Sequence, residues 1–330
     1  MNVVVVGGTG FLGLNIVEAF RDAGHHVVAT RRPSSNTIFL RRLKVGMATA
    51  SLTDVDSLVS VLSGADVVCF AAGHYPRFSI DTTAHVARAV AEVANVLEAT
   101  RRAGVARFIY TGTVATVGRP REDRPAVETD GTAATPEGST YIAVKLAMER
   151  EIERASRSEL DVITLLPTAC IGPYDHKVGT GFFLVGLANG LLDVYVDGKI
   201  NIVDARDVAR AHVAAAEKRR RGERFIIGGT NIRVEELFRR VAERFEVAMP
   251  SRCLDPEAAI AFAIDEEARA SSEKPPGRPK ISREMVDLII HGQFVDSEKA
   301  ARELAFTVRP LDETIAAAHA WYRANGYLKR

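Results

Sequence analysis

The chain opens with Met1-Asn-Val-Val-Val-Val-Gly7-Gly-Thr-Gly10-Phe-Leu-Gly13, and this stretch decides the fold. Val3–Val6 is a short apolar, β-branched run, which is typical of a strand buried on both faces of a parallel sheet. Three glycines follow, and then a helical apolar pattern runs through Ile16, Val17 and Phe20. A strand that turns sharply into a helix directs unpaired N–H groups and the positive end of the helix dipole at one spot. Gly7 permits the tight turn, Gly10 lets phosphates come close and Gly13 lets the helix pack on the strand. The stretch therefore predicts a dinucleotide site.

The first half of the chain alternates short β-branched runs with amphipathic helical patterns. Strands are predicted near residues 2–6, 26–30, 44–49, 66–71, 107–111 and 161–166. Helices are predicted near residues 11–23, 54–63, 81–103 and 139–156. This alternation predicts an α/β fold, a right-handed, doubly wound parallel sheet of the Rossmann type.

The alternation weakens after Pro173. A helix near 205–217 and a strand near 224–228 predict a return to the sheet. We therefore expect a nucleotide-binding domain over residues 1–173, with a return segment at about 204–230. Residues 174–203 and 231–330 would form a smaller, mainly helical C-terminal lobe for the substrate, which would bind in the crevice between the two parts.

Composition limits the possible partners. The 330 residues are 47% hydrophobic and 26% charged with a net charge of +1, so no electrostatic case exists for nucleic acid or an acidic membrane surface. No apolar stretch approaches about 20 residues, and the N-terminus enters a core strand directly, so neither a spanning helix nor a signal peptide is expected. Three widely spaced cysteines suggest neither a disulfide framework nor a zinc site. We expect a cytoplasmic protein with a small-molecule substrate and no metal.

A second motif, Tyr141-Ile-Ala-Val-Lys145, lies far from the first. Together with the GxxGxxG spacing of the glycines, it resembles the extended branch of the short-chain dehydrogenase/reductase family. The resemblance implies a nicotinamide cofactor. The residues that we expect to contact the cofactor are Gly7, Thr9, Gly10, Phe11, Leu12, Gly13, Arg31, Arg32, Ser51, Leu52, Ala71, Ala72, Gly73, Thr111, Tyr141, Lys145, Pro167, Thr168 and Ala169.

The end of the second predicted strand indicates which cofactor binds. In NAD-binding folds of this kind an acidic residue at this point holds the ribose 2′-hydroxyl. This chain has Arg31 and Arg32 instead. A guanidinium matches the geometry of a 2′-phosphate, so the sequence predicts NADP, the alternative being two solvated surface arginines. Ser51-Leu52 stands where the family usually carries Asp-Leu beside the adenine.

The resemblance also implies a catalytic set. Counting back from Gly118, the family's catalytic Ser/Thr position falls on Thr113. Tyr141 and Lys145 are four residues apart and share one face of a helix. A phenol has a pKa of about 10, and a neighbouring ammonium lowers it. We expect Tyr141 to donate a proton, Lys145 to lower its pKa, and Thr113 to hydrogen-bond the substrate oxygen.

The segments around this set distinguish the chemistries of the family. Val114-Ala115 follows Thr113, where dehydratases carry an Asp-Glu pair. Leu165-Leu-Pro-Thr168 lacks the asparagine that sugar-nucleotide epimerases commonly carry. It resembles the group of dihydroflavonol reductase, cinnamoyl-CoA reductase and 3β-hydroxysteroid dehydrogenase. We therefore predict an NADP-dependent carbonyl reductase. A sugar-nucleotide epimerase is the alternative. A non-catalytic NADP sensor is a third hypothesis, because Ala89 replaces an asparagine that helps to organise the family's site.

Two further expectations concern the substrate and the assembly. The substrate pocket would include residues 74–78, Tyr174–Phe183 and the C-terminal helices. In the family, the helices near 81–103 and 139–156 pair with their copies in a four-helix dimer interface. We therefore predict a homodimer in which Ile142, Leu146 and Ile152 face the partner. Asp207 is expected to cap a helix or to tie the two lobes together.

Overall fold

The computed structural model describes residues 1–73, 81–133, 139–157, 160–218, 222–274, 277, 279–292 and 294–329. The pocket segment predicted at 74–78 lies outside these residues.

The strands of the described residues are short. They are β1 (Asn2–Val6), β2 (His26–Arg31), β3 (Gly46–Thr49), β4 (Val67–Phe70), β5 (Arg107–Thr111), β6 (Asp161–Pro167), β7 (Ala169–Ile171), β8 (Val194–Val196), β9 (Lys199–Asp204), β10 (Arg224–Ile227), β11 (Thr230–Arg233) and β12 (Arg252–Leu254).

The helices lie between and after these strands. They are α1 (Phe11–Asp22), α2 (Ile38–Leu43), α3 (Val55–Leu62), α4 (Thr82–Arg102), α5 (Thr140–Ser156), α6 (Phe182–Ala188), α7 (Ala205–Glu217), α8 (Val234–Phe245), α9 (Pro256–Ser272), α10 (Arg283–Ile290), α11 (Glu298–Leu304) and α12 (Leu311–Ala324). A 3₁₀ turn, Val114–Thr116, follows β5.

The described residues form a seven-stranded sheet in the order β10-β6-β5-β4-β1-β2-β3. Every pair of neighbours in it is parallel. The strand order reverses between β1 and β4, and at such a point the loops that follow the strands diverge to leave a crevice. The predicted doubly wound fold is confirmed, including the return of α7 and β10 to the sheet beside β6.

Both faces of this sheet are buried, which explains the continuous apolar runs of its strands. Val3 and Val5 of β1 pack on one face with α1 and α7. Val4 and Val6 pack on the other face with α3, α4 and α5. Successive side chains of a strand point to opposite faces of the sheet. Helix α1 therefore covers one face, and α5, which carries Tyr141 and Lys145, covers the other.

The C-terminal part has a core of its own. Apolar residues of α6, α8, α9, α10 and α12 cluster there with β9 and β11. The helical character of this part was expected, whereas the small sheets β11-β9-β7 and β12-β8 were not. Asp204, and not Asp207, is the N-cap of α7. Asp207 accepts a 2.7 Å hydrogen bond from the backbone N–H of Arg309 and pairs with its guanidinium, so it ties α7 to the C-terminal segment.

The predicted orientation of α5 toward a partner is wrong. Ile142, Leu146 and Ile152 are buried within the single chain, with 2%, 5% and 1% of their surface exposed. Arg150 and Arg154 are the exposed positions of this helix. A helix that pairs with a partner leaves apolar side chains uncovered in the monomer. Because the exposed positions of α5 are arginines, this helix offers no apolar face of that kind.

Candidate active site

The turn between β1 and α1 is packed as closely as the three glycines allow. Gly7 has φ of +93°, and a Cβ there would lie 2.7 Å from the backbone nitrogen of Ala72. A Cβ on Gly13 would lie 2.1 Å from the carbonyl oxygen of Gly7. The backbone N–H of Gly7 donates to Oγ1 of Thr30 at 3.1 Å. The positive φ favours glycine at position 7, and the contact with Gly7 leaves no room for a side chain at position 13.

The N-terminus of α1 has no compensating group of its own. Its N-cap is Gly10, which supplies no side-chain hydrogen bond, and the first turn contains no acidic residue. The first N–H groups of a helix lack intrahelical partners, and the helix dipole adds a positive partial charge there. This end therefore fits an anionic pyrophosphate.

A cleft of about 2070 Å³ runs across the carboxyl edge of the sheet. Of the residues predicted to bind the cofactor or to act in catalysis, only Gly13 does not line it, in keeping with its packing role. The predicted substrate segment lines the cleft in part, through Asp175, Lys177, Gly179, Thr180 and Phe183. The predicted residues that line the cleft are Gly7, Thr9, Gly10, Phe11, Leu12, Arg31, Arg32, Ser51, Leu52, Ala71, Ala72, Gly73, Thr111, Thr113, Tyr141, Lys145, Pro167, Thr168 and Ala169. The sheet topology thus gathers residues from widely separated parts of the chain.

Arg31 and Arg32 lie where β2 ends, at one end of this cleft. Arg32 is exposed, and its backbone N–H donates to Oγ of Ser35 at 3.1 Å. Neither guanidinium forms a salt bridge with another described residue. Two cations without carboxylate partners at this point favour an anion over a neutral ribose hydroxyl.

Tyr141 and Lys145 occupy the first turns of α5 on the cleft side. Nζ of Lys145 lies 5.9 Å from the centre of the Tyr141 ring. Burial lowers the pKa of Lys145 to about 8, because the charged ammonium is poorly solvated there. Its charge thus becomes sensitive to pH near neutrality.

Thr113 presents a hydroxyl hydrogen that no described residue accepts. Its Oγ1 accepts a 3.3 Å hydrogen bond from the backbone N–H of Ala115, as the N-cap of the 3₁₀ turn. A hydroxyl that accepts from the protein is free to donate. Thr113 therefore offers a donor to a carbonyl oxygen in the cleft.

The hydroxyl of Thr111, in contrast, donates its hydrogen within the protein. Its hydroxyl lies 2.8 Å from Nε2 of His212, and Nδ1 of that ring lies 2.8 Å from the carbonyl oxygen of Val208. Since a carbonyl only accepts, Nδ1 carries the hydrogen. Burial lowers the pKa of His212 to about 4, so the ring is neutral and Nε2 accepts from Thr111. Thr111 can offer only lone pairs to the cleft.

Sequence patterns did not reveal several residues of the site. Oγ1 of Thr168 donates to Oδ1 of Asn201 at 2.7 Å, and Asn201 also lines the cleft. Glu92 is buried on α4 and accepts from Arg88 at 2.8 Å, with both residues at the cleft wall. The only sequence feature that pointed to this part of α4 was Ala89, which stands where the family carries an asparagine.

Other kinds of site find no support among the described residues. No group of three or more His, Cys, Asp and Glu side chains in that part of the chain is placed to hold a metal ion. None of the helices found there is both long and apolar enough to cross a membrane.

Comparisons with known proteins agree with this geometry. The family model of the NAD dependent epimerase/dehydratase family matches residues 3–228. A protein of Methylococcus capsulatus named sterol demethylase protein B is 26% identical, with 99% of this chain and 100% of that protein covered. Anthocyanidin reductase of Vitis vinifera is 29% identical over 73% of this chain and 80% of its own length.

A solved structure is similar over the whole length. It is described as a nucleoside-diphosphate-sugar epimerase from Pseudomonas aeruginosa, with 30% identity, a TM-score of 0.83, and 100% of this chain and 99% of that chain covered. The chain belongs to the NAD dependent epimerase/dehydratase family and is an NAD(P)-dependent enzyme of the extended short-chain dehydrogenase/reductase type.

Proposed function

We propose that this protein is an NADP-dependent carbonyl reductase. The observation that carries the proposal is the convergence of Thr113, Tyr141 and Lys145 on one cleft, with the hydroxyl hydrogen of Thr113 left free to donate. This is the arrangement that a carbonyl oxygen requires when it becomes an alcohol, because that oxygen needs both a hydrogen-bond donor and a proton source.

The cleft fits a phosphorylated dinucleotide. The glycine turn and the uncapped N-terminus of α1 would hold the pyrophosphate, and Arg31 and Arg32 would hold the 2′-phosphate. When bound, NADPH would supply the hydride. Lys145 would also hold the hydroxyls of the nicotinamide ribose.

The three catalytic side chains would orient the substrate and supply the proton. Thr113 would donate a hydrogen bond to the substrate oxygen and orient it toward Tyr141. Tyr141 would transfer its proton to that oxygen. The ammonium of Lys145 would stabilise the resulting phenolate, so that the proton leaves more readily at neutral pH.

The residues beside Thr113 favour a reductase over a dehydratase, and part of the cleft wall is apolar. Val114 and Ala115 offer no acid–base pair beside Thr113. Phe183, Met285 and Ile289 line the side formed by the C-terminal part. One relative is named as forming a flavan-3-ol and another as a sterol demethylase protein, which supports a ring compound as the substrate class. The Pseudomonas aeruginosa likeness favours a second candidate, a sugar-nucleotide epimerase.

The same proposal extends to the organisation of the protein. Residues 1–173 and 204–230 would hold the cofactor, and residues 174–203 and 231–330 would hold the substrate.

A homodimer would use α4, whose exposed Ala87, Ala91 and Ala94 would let a second helix approach closely. A cytoplasmic location suits the free thiols.

Replacement of Tyr141 by Phe tests the mechanism. Tyr141→Phe removes one hydroxyl and leaves the ring, so NADPH should still bind while turnover falls by about 10²–10⁴-fold, the usual contribution of a positioned acid. The assay follows NADPH absorbance with a panel of ketones, aldehydes and flavonoid-like compounds. Tyr195→Phe, which lies outside the cleft, serves as the control.

Two results would contradict the proposal. A Tyr141→Phe protein that works at the parental rate would remove Tyr141 from the mechanism. A parent that interconverts nucleotide sugars without net loss of NADPH would identify an epimerase instead.

A further inference from the structure

A carboxylate from the C-terminal part lies at the start of the helix that carries the catalytic pair. Oε2 of Glu284, in the first turn of α10, accepts hydrogen bonds from the backbone N–H of Tyr141 and from Oγ of Ser139, both at 3.1 Å. Ser139 is the N-cap of α5, and its Oγ accepts from the backbone N–H of Ile142 at 3.3 Å. Glu284 thus completes the cap of a helix that begins about 140 residues before it.

The contact satisfies a specific need of α5. The first N–H groups of a helix have no partner within it, and negative charge is favourable at this end. The first turn of α5 contains no acidic residue of its own. Glu284 supplies both the acceptor and the charge, and it does so at Tyr141 itself.

Glu284 is held firmly where it stands. Its neighbour Arg283 donates through its backbone N–H and through Nε to the carboxylate of Glu267 on α9, in both cases at 2.8 Å. Ser282 caps α10 by accepting from the backbone N–H of Met285 at 3.2 Å. The pair of helices α9 and α10 therefore presents Glu284 as a fixed support.

We propose that Glu284 is a positioning residue, which fixes the first turn of α5 and thereby holds the hydroxyl of Tyr141 at the site of proton transfer. The proposal rests on the proposed function for its catalytic consequence. The capping contact itself does not depend on that function. The C-terminal part would then complete the site in addition to enclosing the substrate.

The test compares substitutions that separate the hydrogen bonds from the charge. Glu284→Ala removes both acceptor oxygens. Glu284→Gln keeps an oxygen that can accept from Tyr141 and Ser139 but removes the charge. Glu257→Ala alters an exposed glutamate on α9 and serves as the control.

Turnover is the first measurement. We expect Glu284→Ala to lower kcat at least about tenfold with KM and NADPH affinity little changed, since a displacement of ~1 Å can cost about 10²-fold. Glu284→Gln should restore most of kcat. If Glu284→Ala does not fold, Glu284→Asp replaces it, because its shorter side chain falls short of Tyr141. A kcat for Glu284→Ala equal to that of the parent would overturn the proposal.

Hydrogen exchange of the Tyr141 amide is the second measurement, and it needs no substrate. We expect faster exchange at the start of α5 in Glu284→Ala and parental protection in Glu284→Gln and Glu257→Ala. Unchanged protection in Glu284→Ala would refute the positioning role even if the protein proved to be an epimerase. A parent without carbonyl reductase activity, but with protection that depends on Glu284, would refute the proposed function alone.

Discussion

Thr111 and His212 form a buried hydrogen bond of 2.8 Å that joins the end of β5 to α7, two residues before Thr113. The carbonyl of Val208 and the burial of the ring together fix His212 as a neutral acceptor. The hydroxyl hydrogen of Thr111 is thereby donated to His212, whereas that of Thr113 has no acceptor among the described residues. One buried histidine thus separates the roles of two neighbouring threonines.

This bond predicts a pH dependence of stability. The pKa of His212 is about 4 in the folded protein and about 6.5 when unfolded, so the unfolded chain binds more protons between these values. The free energy of unfolding should therefore fall as the pH drops from about 6.5 to 4, by up to ~3 kcal/mol. Urea unfolding of the parent and of His212→Gln across this range measures the difference.

The control for that experiment is His319→Gln. Burial and the neighbouring Arg244 and Arg323 lower the pKa of His319, but its side chain stays half-exposed and its contribution should be small. Equal slopes for the parent and His212→Gln would show that His212 does not titrate as the geometry implies.

Arg31 predicts the choice of cofactor. We expect NADPH to bind at least about tenfold more tightly than NADH, or about 1.4 kcal/mol, because a charge-assisted contact with a phosphate is at least that strong. Arg31→Ala should remove most of the preference by weakening NADPH alone. Fluorescence titration with both cofactors measures it, with Arg101→Ala on the surface of α4 as the control. Equal affinities in the parent would contradict the assignment to NADP.

Lys145 predicts an alkaline limit to the reaction. Since burial lowers its pKa to about 8, the ammonium loses its proton above this pH and no longer stabilises a phenolate at Tyr141. The rate of carbonyl reduction should therefore fall above a pH of about 8. In Lys145→Arg the guanidinium stays charged, so any remaining activity should lack this limit.

Lys199→Arg is the matched control, because Lys199 also lines the cleft. It should keep the parental profile. A profile of kcat against pH that is flat for the parent, or an unchanged limit in Lys145→Arg, would assign the limit to another group.

The exposed alanines of α4 predict the assembly. We expect light scattering at micromolar concentration to give the mass of two chains. Ala91→Glu should shift the mass toward that of one chain, because a carboxylate would be buried without a partner between close helices. Ala320→Glu, on the exposed side of α12, should leave the mass unchanged. A monomeric parent would exclude the dimer.

Much of the nucleotide-binding half could be predicted from the sequence. The runs of valine in β1, the glycines at 7, 10 and 13, and the spacing of Tyr141 and Lys145 express constraints between neighbours along the chain. Backbone geometry and the periods of strand and helix depend on such local constraints. The predicted bounds of α1, α4 and α5 accordingly lie within one or two residues of the observed ones.

Packing between distant segments decided the rest. Glu284 reaches Tyr141, and His212 reaches Thr111, only because separate helices meet at the edge of one sheet. No local pattern encodes such pairs, since a carboxylate or an imidazole has the same sequence signature on any surface. The apolar residues of α5 are a further example. Their apolar character determined that Ile142 and Leu146 would be buried, and only the tertiary structure decided that the same chain, and not a partner, buries them.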